Sequence, residues 1–163
     1  NSKVKFREAF RPFAPSVLAE ETSEWFCLRA ESPYMLLVAD VAPGQRLESS
    51  DNSLKGLEKL KVVRSQIPAV THVDYSARVQ TVDRVRHPIY YDLIQSFFAK
   101  TGCPVMINTS FNVRGEPIVC SPQDAFRCFM RTDMDDLVIG NFILTKQDQT
   151  NTPLLQEAYC ELD

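Results

Sequence analysis

The stretch from Pro88 to Pro117 constrains the fold of this chain more than any other. Pro88 suits the first turn of a helix, Ile89, Leu93, Ile94 and Phe97 fall at helical spacing, and Gly102 closes the element after Lys100. An apolar strand, Cys103 to Ile107, follows at once. It stops at four polar side chains in five residues, Asn108, Thr109, Ser110 and Asn112, with Gly115 soon after. Amides and hydroxyls at the carboxyl end of a strand are how an α/β protein lines a ligand crevice beyond its sheet. The same residue types also make ordinary turns by bonding their own backbone, so the turn alone leaves the two readings even.

Around this stretch the pattern predicts further elements. Lys3, Lys5 and Arg7 alternate with Val4 and Phe6, which reads as a strand with three cations on one face. Arg11 to Pro15 reads as a rigid turn with two prolines fixing φ. Ser16 to Cys27 reads as an amphipathic helix burying Val17, Leu18, Trp25 and Phe26. Tyr34–Val41 is an apolar strand ended by Pro43-Gly44. Residues 44–64 are polar, with a loop at 49–52 and a short helix near Leu54–Lys61; whether they form a lid is open at this level. Val70–Val73 and Ala77–Val82 read as strands. Ser121, Pro122 and Asp124 start a helix that runs to about Arg131, with serine as the cap and an anion in the first turn. Leu137–Thr145 reads as a last strand, and residues 147–163 as a polar tail. Helices and strands alternate throughout, which gives an α/β class, bordering on α+β, built on a mixed sheet.

The 163 residues suit a single domain that buries roughly two-thirds of its unfolded surface. A net charge of −3 argues against a duplex-DNA binder, which carries a basic excess. No apolar run approaches the length of a membrane span, and no signal-peptide core opens the chain, which points to the cytoplasm. The five cysteines (Cys27, Cys103, Cys120, Cys128 and Cys160) are odd in number and show no CxxC spacing. They read as reduced, buried thiols rather than a disulfide framework or a zinc site. His72 and His87 are too few and too scattered for a metal centre. The chain begins with Asn and runs directly into an amphipathic segment, so we expect a domain excised from a longer polypeptide.

Three polar clusters carry the candidate chemistry: the basic segment at residues 3–11, the Asp74–Arg78 segment, and the Asn108–Asn112 turn. Each has a plain alternative. Basic strands are commonly solvated faces or edge guards, and Asp74 is an available ion-pair partner for Arg78. Against that, Lys5, Arg7, Arg11 and Arg78 together carry enough charge for a polyphosphate, and arginine grips phosphate or carboxylate through two parallel bonds. Neither glycine-rich phosphate cradle, GxxxxGK[ST] or GxGxxG, is present, so side chains must hold any phosphate.

Three blocks of sequence fix a resemblance. Lys5-Phe6-Arg7-Glu8-Ala9-Phe10-Arg11-Pro12-Phe13-Ala14-Pro15, His72-Val73-Asp74-Tyr75-Ser76-Ala77-Arg78-Val79-Gln80-Thr81-Val82, and Asn108-Thr109-Ser110-Phe111-Asn112-Val113-Arg114-Gly115-Glu116-Pro117-Ile118-Val119 occur in order. Together they closely resemble the carboxyl-terminal domain of the NodU/CmcH O-carbamoyltransferases, over about residues 3–146. Tyr75-Ser76 departs from the pattern, standing where that family has Gly-Thr or similar.

The resemblance implies a YrdC-like fold, a twisted mixed sheet flanked by helices. It implies a module that binds ATP, with its magnesium ion, and carbamoyl phosphate, forms carbamoyl adenylate and releases pyrophosphate. An amino-terminal domain of the actin/sugar-kinase type in the same full-length chain would then transfer the carbamoyl group to a hydroxyl acceptor. The family's Lys-x-Arg and Ser-x-Asn signatures correspond to Lys5-Phe6-Arg7 and Ser110-Phe111-Asn112. On this reading Lys5, Arg11, Arg78 and Ser110 serve the chemistry, Arg7 assists with the phosphates, and Asn108, Thr109 and Asn112 bind substrate. The competing reading is a YrdC-like module that holds nucleotide or RNA without turnover; the acidic balance disfavours RNA. A purely structural role in assembly would require an exposed apolar patch.

Overall fold

In a computed structural model, the structure describes residues 1–47 and 55–149. It contains α-helices, a four-stranded mixed sheet and a two-stranded sheet, so the α/β class holds. The chain divides into two compact units. One is continuous, Phe10–Thr109. The other joins Asn1–Ala9 to the residues from Ser110 onward.

The continuous unit is built on strand β1 (Ala14–Leu18), whose five residues are all buried. It lies centrally in the order β2-β3-β1-β4, parallel to β3 (Ser76–Val82) and antiparallel to β4 (Val105–Asn108); β2 (Leu37–Asp40) pairs antiparallel with β3. Successive residues of a strand face opposite sides, and β1 feeds two cores. Val17 packs with Trp25, Phe26, Val41, Val79 and Val105 on one face. Leu18 packs on the other with Val82 and with Ile94 of helix α2 (Pro88–Thr101). Helix α2 ends as its sequence requires: Gly102 takes φ +72° and donates its N–H to the Phe98 carbonyl at 2.8 Å.

The turn expected at Arg11–Pro15 and the helix expected over Ser16–Cys27 are therefore corrected. Strand β1 crosses both, and only Thr22–Trp25 forms an α-helix, α1. A strand covered on both faces loses the alternation that marks a half-buried one, and Val17-Leu18 then mimics helical spacing. Pro15 is tolerated because the parallel ladder with β3 begins only at Ser16. Val70–Val73 is not a strand; Pro68–Val70 forms a 3-10 turn. Gly56–Lys61 is a 3-10 helix where a short helix was expected, and the rest of that expectation lies outside the described residues, as does part of 44–64.

In the second unit, helix α3 (Pro122–Met130) packs Ala125 and Phe129 against Leu137 of the ribbon formed by β5 (Asp136–Ile139) and β6 (Phe142–Thr145). The single strand expected at Leu137–Thr145 is a hairpin. Ile139 faces Phe142 across a two-residue loop opened by Gly140 at φ +56°, the glycine-first arrangement that matches strand twist. The expected strand at Lys3–Arg7 is absent. The segment turns, and Phe6 adopts φ +49° between Lys5 and Arg7.

Candidate functional site

The turn at Phe6 sends Lys5 inward, the reverse of a strand presenting three cations on one face. Lys5 is only 6% exposed. Its Nζ donates to the Ser110 carbonyl at 2.7 Å and the Asn112 carbonyl at 2.6 Å. It also reaches Asn112 Oδ1 at 2.8 Å and Ser110 Oγ at 3.2 Å. Ser110 Oγ donates to Asn112 Oδ1 at 2.6 Å, and Asn112 Nδ2 donates to the Glu116 carbonyl at 2.8 Å. Burial, and then the charge of Arg7, draw the Lys5 pKa below the ordinary lysine value. The four oxygens oppose this, since the ammonium form offers them three N–H donors against two in the neutral amine.

Lys5, Ser110 and Asn112, separated by more than a hundred residues in sequence, thus meet in one cage. Arg7 is half-buried beside it in the chain, its Nε donating to Asn1 Oδ1 at 2.7 Å. Arg114 pairs with Glu8 at 3.7 Å, and Arg131 with Glu116 at 3.0 Å.

The continuous unit holds the other predicted residues. Arg11 and Thr109 are exposed. Arg78 projects from β3 and is exposed, with no ion pair or hydrogen bond to its side chain among the described residues. Its expected partner is engaged elsewhere: Asp74 Oδ1 accepts from the Ser76 hydroxyl at 2.7 Å and the Ser76 N–H at 3.0 Å. Those two bonds hold the Asp74 carboxyl below its ordinary pKa. His72 Nδ1 lies 2.9 Å from Ser76 Oγ. Between them Tyr75 is held at φ +66°, with Arg46 stacked 5.0 Å from its ring centroid. A left-handed position favours glycine, so Tyr75 holds this conformation against its own preference.

Two residues beyond Arg78 on the same strand face, Gln80 accepts at Oε1 from Ser16 Oγ at 2.7 Å and from Asn108 Nδ2 at 2.6 Å. The sheet register pairs Ser16 with Gln80 and Ala14 with Asn108. Arg78 stands two residues before Gln80 on β3, and β1 separates that strand from Asn108 on β4.

Sequence reasoning missed Gln80 and Ser16. Gln80 left a signal, as a polar residue two positions from Arg78 in an apolar strand. Ser16 left none once its segment read as helix.

Among the described residues no three His, Cys, Asp or Glu side chains gather to hold a metal ion. Cys27, Cys103, Cys120 and Cys128 are free thiols; Cys27 and Cys120 are exposed rather than buried as expected. No helix among the described residues is long and apolar enough to cross a membrane.

The carbamoyltransferase C-terminus family model matches residues 1–146. An uncharacterised protein of Synechocystis sp. is 59% identical over 91% of the chain, which spans 25% of that protein. The nodulation protein NolNO of Sinorhizobium fredii is 41% identical over 90% of the chain, spanning 19% of its length. The 3′-hydroxymethylcephem-O-carbamoyltransferase of Amycolatopsis lactamdurans is 33% identical over 86%, spanning 23%. The chain thus spans a quarter or less of each of these relatives. With the family model matched over nearly the whole chain, the chain belongs to the carbamoyltransferase C-terminus family.

Proposed function

We propose that this chain is the acyl-activating part of an O-carbamoyltransferase, forming carbamoyl adenylate from ATP and carbamoyl phosphate. The observation that carries the reading is the cage in which Lys5 meets Ser110 and Asn112. Loss of phosphate from carbamoyl phosphate to water leaves carbamate. A carbamate oxygen attacks the α-phosphorus of ATP, the bond to the β-phosphate oxygen breaks, and pyrophosphate leaves. Carbamate is already an anion, so the attack requires no general base.

Charge builds on the non-bridging oxygens and on the leaving pyrophosphate, and fixed cations lower the barrier. Arg78, without a partner of its own among the described residues, is suited to the α-phosphate or the carbamoyl donor. Arg11, exposed in the same unit as Arg78, supplies charge for the β- and γ-phosphates. Lys5, with its donors committed, fixes the Ser110–Asn112 loop and adds positive potential there. Asn108 and Thr109 offer an amide and a hydroxyl for the carbamoyl group, while Asn112, its amide committed to Lys5, Ser110 and Glu116, shapes its own loop. A magnesium ion would arrive on the phosphates of ATP and neutralise part of their charge. The remainder of the full-length polypeptide, in our reading an actin/sugar-kinase-like domain, would pass the carbamoyl group to a hydroxyl. A hydroxymethyl group is what the Amycolatopsis relative's name specifies.

The test is pyrophosphate release by the full-length protein with ATP, magnesium and carbamoyl phosphate. Arg78→Ala should lower kcat/KM by roughly 10- to 150-fold, the worth of one charge-assisted contact. Absence of pyrophosphate release from a folded, nucleotide-binding protein would refute the reading in favour of a module that binds without turnover.

A further inference from the structure

A carboxamide has a donor end and an acceptor end, and its neighbours decide which way it points. Gln80 is oriented first. Its Nε2 donates to the Pro33 carbonyl at 3.0 Å, and a carbonyl oxygen only accepts. Gln80 Oε1 is thereby aimed at β1 and β4, where it takes the Ser16 hydroxyl and the Asn108 Nδ2. Oε1 cannot donate, so Asn108 must present its NH2 group to Gln80 and turn its own Oδ1 away. Among the described residues no protein donor meets Asn108 Oδ1. Arg78 stands on β3, two residues before Gln80 and two strands from Asn108, so strand spacing sets the two backbones about 10 Å or more apart. The sheet therefore offers a cation for an anionic oxygen and, on the far side of β1, an acceptor with fixed orientation for an N–H.

We propose that Gln80 is a positioning residue that sets acyl-donor selectivity. By fixing the Asn108 amide with Oδ1 outward, it favours an acyl group bearing N–H, the carbamoyl group, over the nearly isosteric acetyl group. The proposal rests on the carbamoyl-adenylate reading. A methyl group would leave the acceptor desolvated and unpaired, the situation in which polar sites reject analogues most strongly. Without Gln80, the Asn108 amide is free to rotate and the preference relaxes.

Acetyl phosphate tests this directly. Loss of its phosphate to water gives acetate, whose oxygen displaces pyrophosphate from ATP as carbamate does, so one readout serves both donors. In the full-length protein, carbamoyl phosphate should exceed acetyl phosphate in kcat/KM, and Gln80→Met should lower that ratio by roughly 10-fold or more. The KM for ATP should stay unchanged. A wild-type protein active with both donors alike, or a folded Gln80→Met variant with an unchanged ratio, overturns the proposal. A wild-type protein silent with carbamoyl phosphate overturns the underlying reading instead.

Should the variant not fold, the wild-type side-chain amide of Asn108 decides. The proposal expects one Nδ2 proton protected from solvent exchange in the absence of ligand. Two equally unprotected protons overturn it.

Discussion

Lys5 carries an ammonium group into a place where only oxygens meet it, and the consequence is measurable. Lys5→Met leaves the Ser110 and Asn112 carbonyls without their donor, so we expect a loss of about 1–3 kcal/mol in urea unfolding. Lys5→Arg should not restore it, because a planar fork cannot occupy a cage built for a compact charge. Tyr75 offers a second check. At φ +66°, Tyr75→Gly should be more stable than Tyr75→Ala by about 1 kcal/mol; the reverse order would mean that the backbone there is unconstrained. Asp74 sets a pH dependence. Its bonds to Ser76 favour the carboxylate and depress its folded pKa. The stability it contributes is therefore full above the unfolded carboxyl pKa, about 3.9, and is lost as pH falls through the lower folded value. Asp74→Asn, compared with wild type below pH 4, should unfold with a shallower dependence on acid.

At the level of elements, α3 shows how a few residues write a boundary. Ser121 Oγ accepts from the Asp124 N–H at 3.1 Å and donates to Asp124 Oδ2 at 2.7 Å, with Pro122 in the first turn. Ser121→Ala should lower stability by about 1 kcal/mol, read as a drop in Tm. This helix, α2 with its Gly102 stop, and the strands at β3 and β4 were all legible because their signals are local: a cap, a proline, a left-handed glycine, an apolar run. Strand β1 was not legible, because its extended form is imposed by partners at residues 80–82 and 105–108 rather than by its own spacing. The β5–β6 hairpin lay hidden inside one apolar run, although Gly140-Asn141 was its turn signal. The site divided in the same way. Lys5, Ser110, Asn112, Arg78 and Asn108 could be named from motifs. The inward turn of Lys5 and the hub at Gln80 depend on tertiary hydrogen bonds that no local pattern encodes.

Across the whole molecule, the unit formed by residues 1–9 and 110 onward is discontinuous, and Lys5, the Lys3 carbonyl and Glu8 tie its first part to its second. Removing residues 1–9 should lower hydrogen-exchange protection in α3 and the β5–β6 ribbon while sparing the sheet of residues 10–109. Equal loss in both would mean that the units do not fold separately. The relatives are four to five times longer than the match, so activity and acceptor choice belong to assays on full-length proteins. The discontinuity also has a consequence for synthesis. Within this stretch residues 1–9 are translated before the rest, yet the oxygens that receive the Lys5 ammonium are made a hundred residues later. At about 5–20 residues per second, that interval is roughly 5–20 s. Throughout it the leading segment is solvated while residues 10–109 are free to complete their own sheet. The second part of this unit to be translated is thus what captures the first, and the unit closes only after the residues between are built.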